Sequence, residues 1–422
     1  MVHYARAIAS TQPIISDGPD SPAEPAQELV LPPLTTLNLN LTQTRKRIIL
    51  VRGPNTCFLS NSQPIMSDCK TLNMTGTIVN DAAPPYRGAL IGCGFVSRFH
   101  LEAWARVVDA RLVALCDMNP KRLEEAAARV SGVRAYTAAA DLFATEDLDF
   151  VEICTLPDSH FELVALAARR GIAILCQKPA AVVRSDFIRL IDTCERAGVR
   201  LMIHENWRFR PWYRAMRAVI DSGAAGRPLR LRIAHQDTRA LRRGGFTDQP
   251  YLAAMPRLIL TDMGCHLVDT ARYLFGEIEA VSATIARFGQ VNIGEDIATL
   301  AVQFVGGALG CLDLSWCSAP DRARPEWALN ETVVEGSDAT LRLMTDGSLE
   351  LVTPDGRRER RPVSLPPDDQ VYVDGYAATQ RHFIHGLRSG EPHETSATDN
   401  LKTMDVVWAA YLSADERRVV SL

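Results

Sequence analysis

The sequence predicts an α/β protein in which an N-terminal, doubly wound parallel sheet is followed by a C-terminal α+β domain with a large, open, mainly antiparallel sheet. Two observations predict this fold class. Between residues 86 and 206, short apolar runs alternate with helical segments, as in a parallel sheet that helices cover on both faces. From residue 207 onward strand-like runs dominate, and turn signals such as Gly306-Gly307 and Asp346-Gly347 separate them, as in an antiparallel sheet.

Residues 1–85 are predicted to be a disordered or poorly packed extension. They contain ten of the 24 prolines, no Trp, one Phe and one Tyr, and their short apolar pieces have no periodic partner. Met66 or Met74 is an alternative start of a shorter protein. We assign no function to this segment.

Residues 86–206 are predicted to be a dinucleotide-binding domain of the Rossmann type. Asn119 is an expected N-cap with Pro120 at the first helical position, and Ser159 and Glu162 have the spacing of a capping box. We expect helices over residues 95–107 and 185–197 and after these two caps. The expected strands cover residues 88–91, 111–116, 150–155, 172–176 and 199–203.

Residues 207–422 are predicted to be a substrate-binding and oligomerisation domain. Helices are expected over residues 208–222 and 262–275, and the chain returns to helix over 376–387 and 400–412. The expected strands of its sheet cover residues 229–235, 280–287, 298–304, 308–316, 332–335 and 340–344.

Composition excludes several classes of protein. Lys and Arg number 46 against 50 Asp and Glu, which gives a net charge of −4 and argues against nucleic acid or an anionic membrane as partner. No run approaches the roughly 18 apolar residues of a membrane-spanning helix. The ten cysteines are scattered without zinc-site spacing, so we expect reduced, structural thiols. The composition is typical of a cytoplasmic enzyme.

The first candidate site follows the first Rossmann strand, at Gly92-Cys93-Gly94. Gly92 permits a tight turn, and Gly94 lets a pyrophosphate approach the N-terminus of the next helix. Asp117 ends the second strand, where its carboxylate can bind both ribose hydroxyls and would repel a 2′-phosphate. NAD is therefore favoured, although Lys121 and Arg122 keep NADP open. The alternative is purely structural: glycine pairs also end strands, and Asp often precedes a helix.

The second candidate site is Gln177-Lys178-Pro179, directly after an apolar strand. Ligands of open α/β sheets bind beyond the carboxyl ends of the strands, so Lys178 could donate a hydrogen bond to a substrate oxygen and stabilise a developing alkoxide. Pro179 could follow a cis peptide bond. The alternative is a surface lysine in a loop.

The third candidate site contains Asp262 and His266, four residues apart and therefore on one face of a helix, with Asp269 following. His266 can act as general base, and the carboxylate could orient it or bind a substrate hydroxyl. A histidine on an apolar helix can also be a core residue. The pair has metal-ligand spacing, but no third ligand is evident, and we expect no metal.

In this order the motifs resemble those of the Gfo/Idh/MocA family of nicotinamide-dependent sugar and polyol oxidoreductases, over residues 86–422. The family's Glu-Lys-Pro appears here as Gln177-Lys178-Pro179, which removes a negative charge beside Lys178. This motif and residues 204–209 resemble a branch that includes sugar dehydrogenases of the D-apiose type. The other matching segments are Gly92 and Gly94, Thr155-Leu156-Pro157 with His160, and Asp262, Gly264 and His266 with Asp269.

The resemblance implies that Lys178 polarises the substrate, His266 is the base and Asp262 supports the pair. Arg208 is a candidate substrate contact, and Asn206 could meet the nicotinamide; for both, the alternative is capping and surface pairing. A homodimer or homotetramer through the C-terminal sheet is implied. Further cofactor contacts are expected at Phe95, Val96, Leu156, Pro157, His160, Gln177 and Lys178.

The function favoured by these residues is NAD(P)-dependent oxidation of a sugar or polyol hydroxyl. Two other functions stay open: a redox-neutral enzyme that uses NAD transiently to cleave or isomerise a sugar, and a non-catalytic NAD-binding regulator. An intact set of Lys178, Asp262 and His266 counts against the regulator, because a binding protein needs no acid/base groups.

Overall fold

In the computed structural model the described residues are 84–422, except Arg243 and residues 321–326, together with four two-residue strands nearer the N-terminus. Those strands form two antiparallel pairs, β1 (Val51–Arg52) with β2 (Cys57–Phe58) and β3 (Thr71–Leu72) with β4 (Ile78–Val79). Apart from these strands and its last two residues, the predicted extension over residues 1–85 lies outside the described residues. The compact unit described below runs from Ala82 to Leu422.

The first sheet of this unit has six parallel strands in the order β10-β9-β8-β5-β6-β7, which confirms the doubly wound fold. The short β7 and α3 were not among the expected elements. The elements are β5 (Tyr86–Ile91), α1 (Ser97–Trp104), β6 (Ala110–Cys116), α2 (Pro120–Ala127), β7 (Arg134–Tyr136), α3 (Ala139–Thr145), β8 (Phe150–Ile153), α4 (His160–Ala168), β9 (Ala173–Gln177), α5 (Arg184–Ala197) and β10 (Leu201–His204).

The two predicted helix caps have different outcomes. Asn119 is the N-cap of α2: its side-chain oxygen accepts hydrogen bonds from the backbone N–H groups of Lys121 (3.0 Å) and Arg122 (3.3 Å). Ser159 makes no such bond, because a 3₁₀ turn (Pro157–Ser159) already gives it helical dihedral angles before α4 begins. Its hydroxyl donates to Thr155 Oγ1 instead, at 2.7 Å, so the predicted capping box is wrong.

The second sheet has nine strands in the order β18-β17-β16-β15-β11-β14-β13-β12-β19, and every pairing except β11 with β14 is antiparallel. A π-helical turn (Leu260–Gly264) precedes α7. The elements are α6 (Pro211–Asp221), β11 (Pro228–Gln236), α7 (Cys265–Phe275), β12 (Ile278–Ala286), β13 (Ile297–Phe304), β14 (Leu309–Ser315), β15 (Glu331–Gly336), β16 (Thr340–Leu343), β17 (Leu349–Val352), β18 (Arg358–Arg361), α8 (Val371–Ser389), α9 (Ala397–Glu416) and β19 (Val420–Ser421).

The described helices cover one face of the second sheet and leave the other uncovered. Helices α7 and α9 contact its strands, and along β13 buried residues alternate with exposed ones. This alternation is typical of a sheet with one solvated face. Helix α8 packs elsewhere, against α1, and buries Phe383 and Ile384 among side chains of the first sheet. The last third of the chain therefore supplies strands to the second sheet and a helix that packs against the first.

Two expectations from composition can be compared with the described part of the chain. None of its helices has the length and apolar character needed to cross a membrane. The eight cysteines between residues 84 and 422 are all free, and six of them are buried.

Candidate functional site

The strands of the first sheet deliver the candidate site residues to one edge. Gly92, Asp117, Lys178 and Glu205 each directly follow a strand, namely β5, β6, β9 and β10. Because the strands are parallel, their carboxyl ends meet at the same edge of the sheet, which is the binding edge in open α/β folds.

The turn after β5 depends on two glycines in different ways. Gly92 has φ +97°, and a Cβ there would lie 2.7 Å from the carbonyl carbon of Cys154. A Cβ at Gly94 would have no atom within 4 Å, so this backbone faces open space at the start of α1. Ser97 closes the turn by donating to the Gly94 carbonyl oxygen at 2.6 Å. The turn therefore presents backbone that a dinucleotide phosphate can approach.

Asp117 ties this turn to the second strand. One of its carboxylate oxygens accepts the Cys93 N–H at 2.6 Å, and the other accepts the Asn119 N–H at 2.7 Å. Each carboxylate oxygen can accept more than one hydrogen bond, so both can still bind hydroxyl groups. The position fits the expected ribose contact and also fixes the glycine turn.

Lys178 and Asp262 form an ion pair across 84 residues of sequence. The ammonium donates to the carboxylate Oδ1 of Asp262 at 2.8 Å and to its backbone oxygen at 2.7 Å. The two side chains are 15% and 13% exposed. Burial lowers the pKa of Lys178, but the Asp262 carboxylate outweighs burial and raises it above its usual value. Lys178 is therefore a cation with one N–H still available. The Lys178–Pro179 peptide bond is cis.

His266 pairs with a carboxylate that the sequence did not indicate. Its Nδ1 hydrogen-bonds Oε1 of the fully buried Glu205, whereas Asp262, the expected partner, binds Lys178. The ring stacks on Trp207, with centroids 4.6 Å apart and planes 5° apart. Burial, together with the charge of Lys178, lowers the pKa of His266 well below its usual value, and burial raises the pKa of Glu205 to about 7.

The Glu205–His266 pair can hold and release a proton. The lowered pKa keeps the imidazole neutral, and when Nδ1 carries the proton towards Glu205, Nε2 is an acceptor. Nε2 has no hydrogen-bond partner among the residues that the structure describes. The arrangement of carboxylate, imidazole and free nitrogen is that of an oriented general base.

Potential ligand atoms of Glu205, Cys265 and His266 lie within 4.8 Å of one another, a set that shares only His266 with the Asp262–His266 pair of the sequence motif. The direct hydrogen bond between His266 and Glu205 and the positive charge of Lys178 favour a proton site over a metal site. Burial also raises the pKa of the Cys265 thiol, which disfavours the thiolate that metals bind. The absence of a metal stays a prediction.

The remaining candidates divide by exposure. Leu156 is exposed, and Phe95, Val96 and Pro157 are half-buried close to the glycine turn, where a cofactor contact is possible. His160 is buried, and its two ring nitrogens contact the backbone oxygens of Ala180 (3.0 Å) and Thr155 (3.1 Å). Its contacts are those of a residue that supports the neighbouring loops.

Gln177, Asn206 and Arg208 are buried and partnered within the protein. Gln177 bonds the Lys178 backbone, Asn206 shares a hydrogen bond with Tyr376, and Arg208 forms a bidentate ion pair with Asp269 (2.6 and 2.8 Å). Arg208 also donates to Asp399 (3.2 Å) and to the Glu394 carbonyl oxygen (3.1 Å). These contacts favour the pairing interpretation for Arg208 and place Asp269 in that ion pair.

Glu205 and Trp207 are the residues that sequence reasoning missed. Glu205 directly follows the last strand of the first sheet, so its position at a strand end was the available signal. Tyr251 is a further case: its hydroxyl accepts a hydrogen bond from Gln249 at 2.9 Å, and the charges of Asp262 and Lys178 act on it. It lies in a short 3₁₀ helix (Pro250–Ala254), which no periodic apolar pattern marks in the sequence.

Comparison with known families gives two matches that follow the two halves of the chain. Residues 86–205 match the oxidoreductase family with an NAD-binding Rossmann fold, and residues 213–342 match the GFO/IDH/MocA C-terminal domain.

Individual relatives span the same region. A D-apiose dehydrogenase of Paraburkholderia graminis is 40% identical over 343 residues, which are 80% of this chain and 90% of the relative. A D-apiose dehydrogenase of Rhizobium rhizogenes is 36% identical, over 80% of this chain and 97% of the relative. Among solved structures, an oxidoreductase from Agrobacterium radiobacter in complex with NAD+, L-tartaric acid and magnesium has a TM-score of 0.74 and 34% identity, over 80% and 98% of the two chains.

Proposed function

The chain belongs to the Gfo/Idh/MocA family of NAD-binding oxidoreductases, and from this premise we propose that it oxidises a hydroxyl group of a sugar or polyol. The observation that supports this most is the placement of a charged lysine and an oriented, neutral histidine at the binding edge of the first sheet. A binding protein would gain nothing from such an acid/base pair.

NAD, when bound, supplies the acceptor for the hydride that leaves the substrate carbon. The residues that would hold it are Gly92 and Gly94 at the pyrophosphate, Asp117 at the ribose, and Phe95, Val96, Leu156 and Pro157 around them. Asn206 is buried beside the site and completes the proposed nicotinamide end. The open space at Gly94 is what such a ligand requires.

Lys178 binds and polarises the substrate oxygen in this proposal. Two of its ammonium hydrogens are bound by Asp262, and the third donates to the hydroxyl that reacts. As negative charge develops on that oxygen, a fixed ammonium in a site with little water stabilises it strongly. Asp262 keeps the lysine charged and holds its direction.

His266 takes the hydroxyl proton on Nε2. The imidazolium that forms is stabilised by the Glu205 carboxylate, which also fixes the ring through Nδ1. The O–H proton thus stays on the histidine, the C–H electron pair leaves as hydride, and the substrate carbon becomes a carbonyl.

The substrate class follows from the relatives, which are named as dehydrogenases of D-apiose and, at 28% identity, of myo-inositol. We propose a sugar of the D-apiose type. The test is NADH absorbance on the purified protein with NAD and a panel of D-apiose, other aldoses, polyols and inositols. Sustained NADH formation with one group supports the proposal. Silence across the panel with intact NAD binding would favour the redox-neutral or regulatory function.

Asp117 is expected to set the preference for NAD over NADP. In Asp117→Asn the charge that repels a 2′-phosphate is gone while one acceptor oxygen remains, so the ratio of kcat/KM with NADP to kcat/KM with NAD should rise about tenfold or more. Steady-state kinetics with both cofactors measures this ratio. Asp158→Asn, at an exposed neighbouring turn, is the control and should leave the ratio unchanged. An unaltered ratio in Asp117→Asn would remove Asp117 from cofactor selection.

The uncovered face of the second sheet is proposed as the surface for a homodimer or homotetramer. Its exposed residues on β12 and β13 are small and uncharged: Ser282, Thr284, Thr299, Ala301 and Gln303. Light scattering after gel filtration should give two or four chains, and Ala301→Arg should shift the protein to a smaller species. Arg169→Glu, at an exposed helix end, is the control. A wild-type monomer would contradict the proposal.

A further inference from the structure

A buried row of polar side chains lies beneath Lys178 and has no part in the chemistry described above. Glu152 on β8 is fully buried and accepts hydrogen bonds from His100 Nδ1 (2.8 Å), Trp104 Nε1 (2.5 Å) and Gln380 Nε2 (3.3 Å). His100 Nε2 lies 2.7 Å from Nε2 of Gln177, and Oε1 of Gln177 accepts the Lys178 backbone N–H at 2.7 Å. The row therefore connects a buried carboxylate to the backbone of the proposed catalytic lysine.

The hydrogen-bonding capacities of these groups allow one arrangement of protons. An ionised carboxylate only accepts, so the proton between Glu152 and His100 lies on Nδ1. A neutral imidazole with its proton on Nδ1 accepts at Nε2, which is what the donating NH₂ of Gln177 requires. The Lys178 N–H only donates, so the Gln177 oxygen must face it. The NH₂ group of Gln177 therefore faces Nε2 of His100, which must be an acceptor.

We propose that Glu152 and His100 are positioning residues for Lys178, acting through Gln177. Glu152 selects the tautomer of His100, this tautomer selects the orientation of the Gln177 amide, and the amide holds the backbone from which the Lys178 side chain reaches Asp262. The inference rests on the proposed role of Lys178. It also gives a reason for Gln177 where related sequences are expected to carry Glu: a carboxylate has no hydrogen to give to Nε2.

The other groups around His100 do not change this balance. The titratable groups that face it or Glu152 are uncharged: burial lowers the pKa of His204 to about 3, and burial raises the pKa of Tyr376 and of Cys154 well above their usual values. The His204 ring lies 4.4 Å and the Tyr376 ring 4.9 Å from the His100 ring, measured between centroids. Glu152 is thus the charge that determines the tautomer.

The test is the pH dependence of kcat in Gln177→Glu compared with wild type. The carboxyl group introduced at position 177 can accept the Lys178 N–H in either protonation state. It can also hydrogen-bond His100 Nε2 only when one extra proton is bound, either on the His100 imidazole or on the carboxyl group itself. We expect the ratio of kcat in the variant to kcat in wild type to fall at least tenfold as the pH rises from about 6 to about 10. The matched control is Gln177→Met, whose side chain makes neither hydrogen bond and cannot titrate. Its kcat should therefore be about tenfold below that of wild type at every pH.

A second measurement does not depend on activity. The ¹⁵N chemical shifts of His100 in the wild-type protein should be those of a neutral ring with the proton on Nδ1, and Glu152→Gln should lower kcat about tenfold without altering NAD binding. A ratio independent of pH in Gln177→Glu, or a proton on Nε2 in wild type, overturns the inference. Full turnover in Lys178→Ala would instead overturn the proposed role of the lysine and leave the tautomer result standing.

Discussion

Replacing Lys178 by alanine is expected to lower kcat by a factor of about 10² to 10³, because the site loses the cation that stabilises charge on the substrate oxygen. The variant also leaves the buried Asp262 carboxylate without the ammonium that lowers its pKa. Steady-state kinetics with the substrate found in the panel, followed by NADH absorbance, measures the loss. Binding of NAD, followed by calorimetry, separates this loss from the loss of the cofactor contact that is also expected at Lys178.

Lys402→Ala provides the matched control for loss of a lysine. Its ammonium binds Glu277 at 3.0 Å on the surface, and its side chain is 58% exposed, so we expect wild-type turnover. Lys178→Met keeps the length of the side chain without the charge and should be as slow as the alanine variant. Turnover near the wild-type value in both Lys178 variants would exclude the lysine from the chemistry.

The second large effect is expected at the Glu205–His266 pair. Replacement of His266 by alanine removes the proton acceptor and should lower kcat about 10²-fold or more, while NAD still binds. Glu205→Gln keeps the hydrogen bond to Nδ1 but not the charge that stabilises the imidazolium, so a smaller loss of about tenfold or more is expected. Initial rates of oxidation at saturating NAD give both values.

The same pair predicts the sign of the pH dependence. Oxidation requires a neutral His266 beside an ionised Glu205. Because burial raises the pKa of Glu205 to about 7, kcat/KM should fall as the pH drops below about 7 and level off above it. In Glu205→Gln this acid limb should move to lower pH, because the titrating carboxyl group is gone. An acid limb at the same pH in the variant would assign the titration to another group.

Local sequence rules predicted the first sheet well, because its determinants act over a few residues. The apolar runs, the Asn119 cap and the Gly92 turn each depend on neighbours in sequence. The charged β18 (Arg358–Arg361) was missed for a physical reason: it is an edge strand, and ion pairs such as Arg358–Glu350 hold it on β17 in place of an apolar face. No hydrophobic alternation marks such a strand.

The sequence indicated the individual residues of the candidate site, but not which of them are paired. Lys178, Asp262 and His266 carry recognisable chemistry, yet the partners are decided in space: Asp262 meets a lysine 84 positions away, and His266 meets Glu205 from 61 positions away. The spacing of four residues suggested that Asp262 and His266 face each other. The π-helical turn at Leu260–Gly264 changes the helical register at Asp262, which an α-helical rule does not anticipate.

Helix α8 has a consequence for how the chain is made. Its Phe383 and Ile384 pack with Leu90 and Phe150 of the first sheet and with Trp104 of α1, so the core of that sheet is not completed by residues 86–206 alone. After residues 86–206 have been synthesised, more than 160 further residues must follow before α8 can pack against the first sheet. Until then the nascent first half exposes the apolar face that α8 covers. We therefore expect the two halves of the unit to complete their folding together.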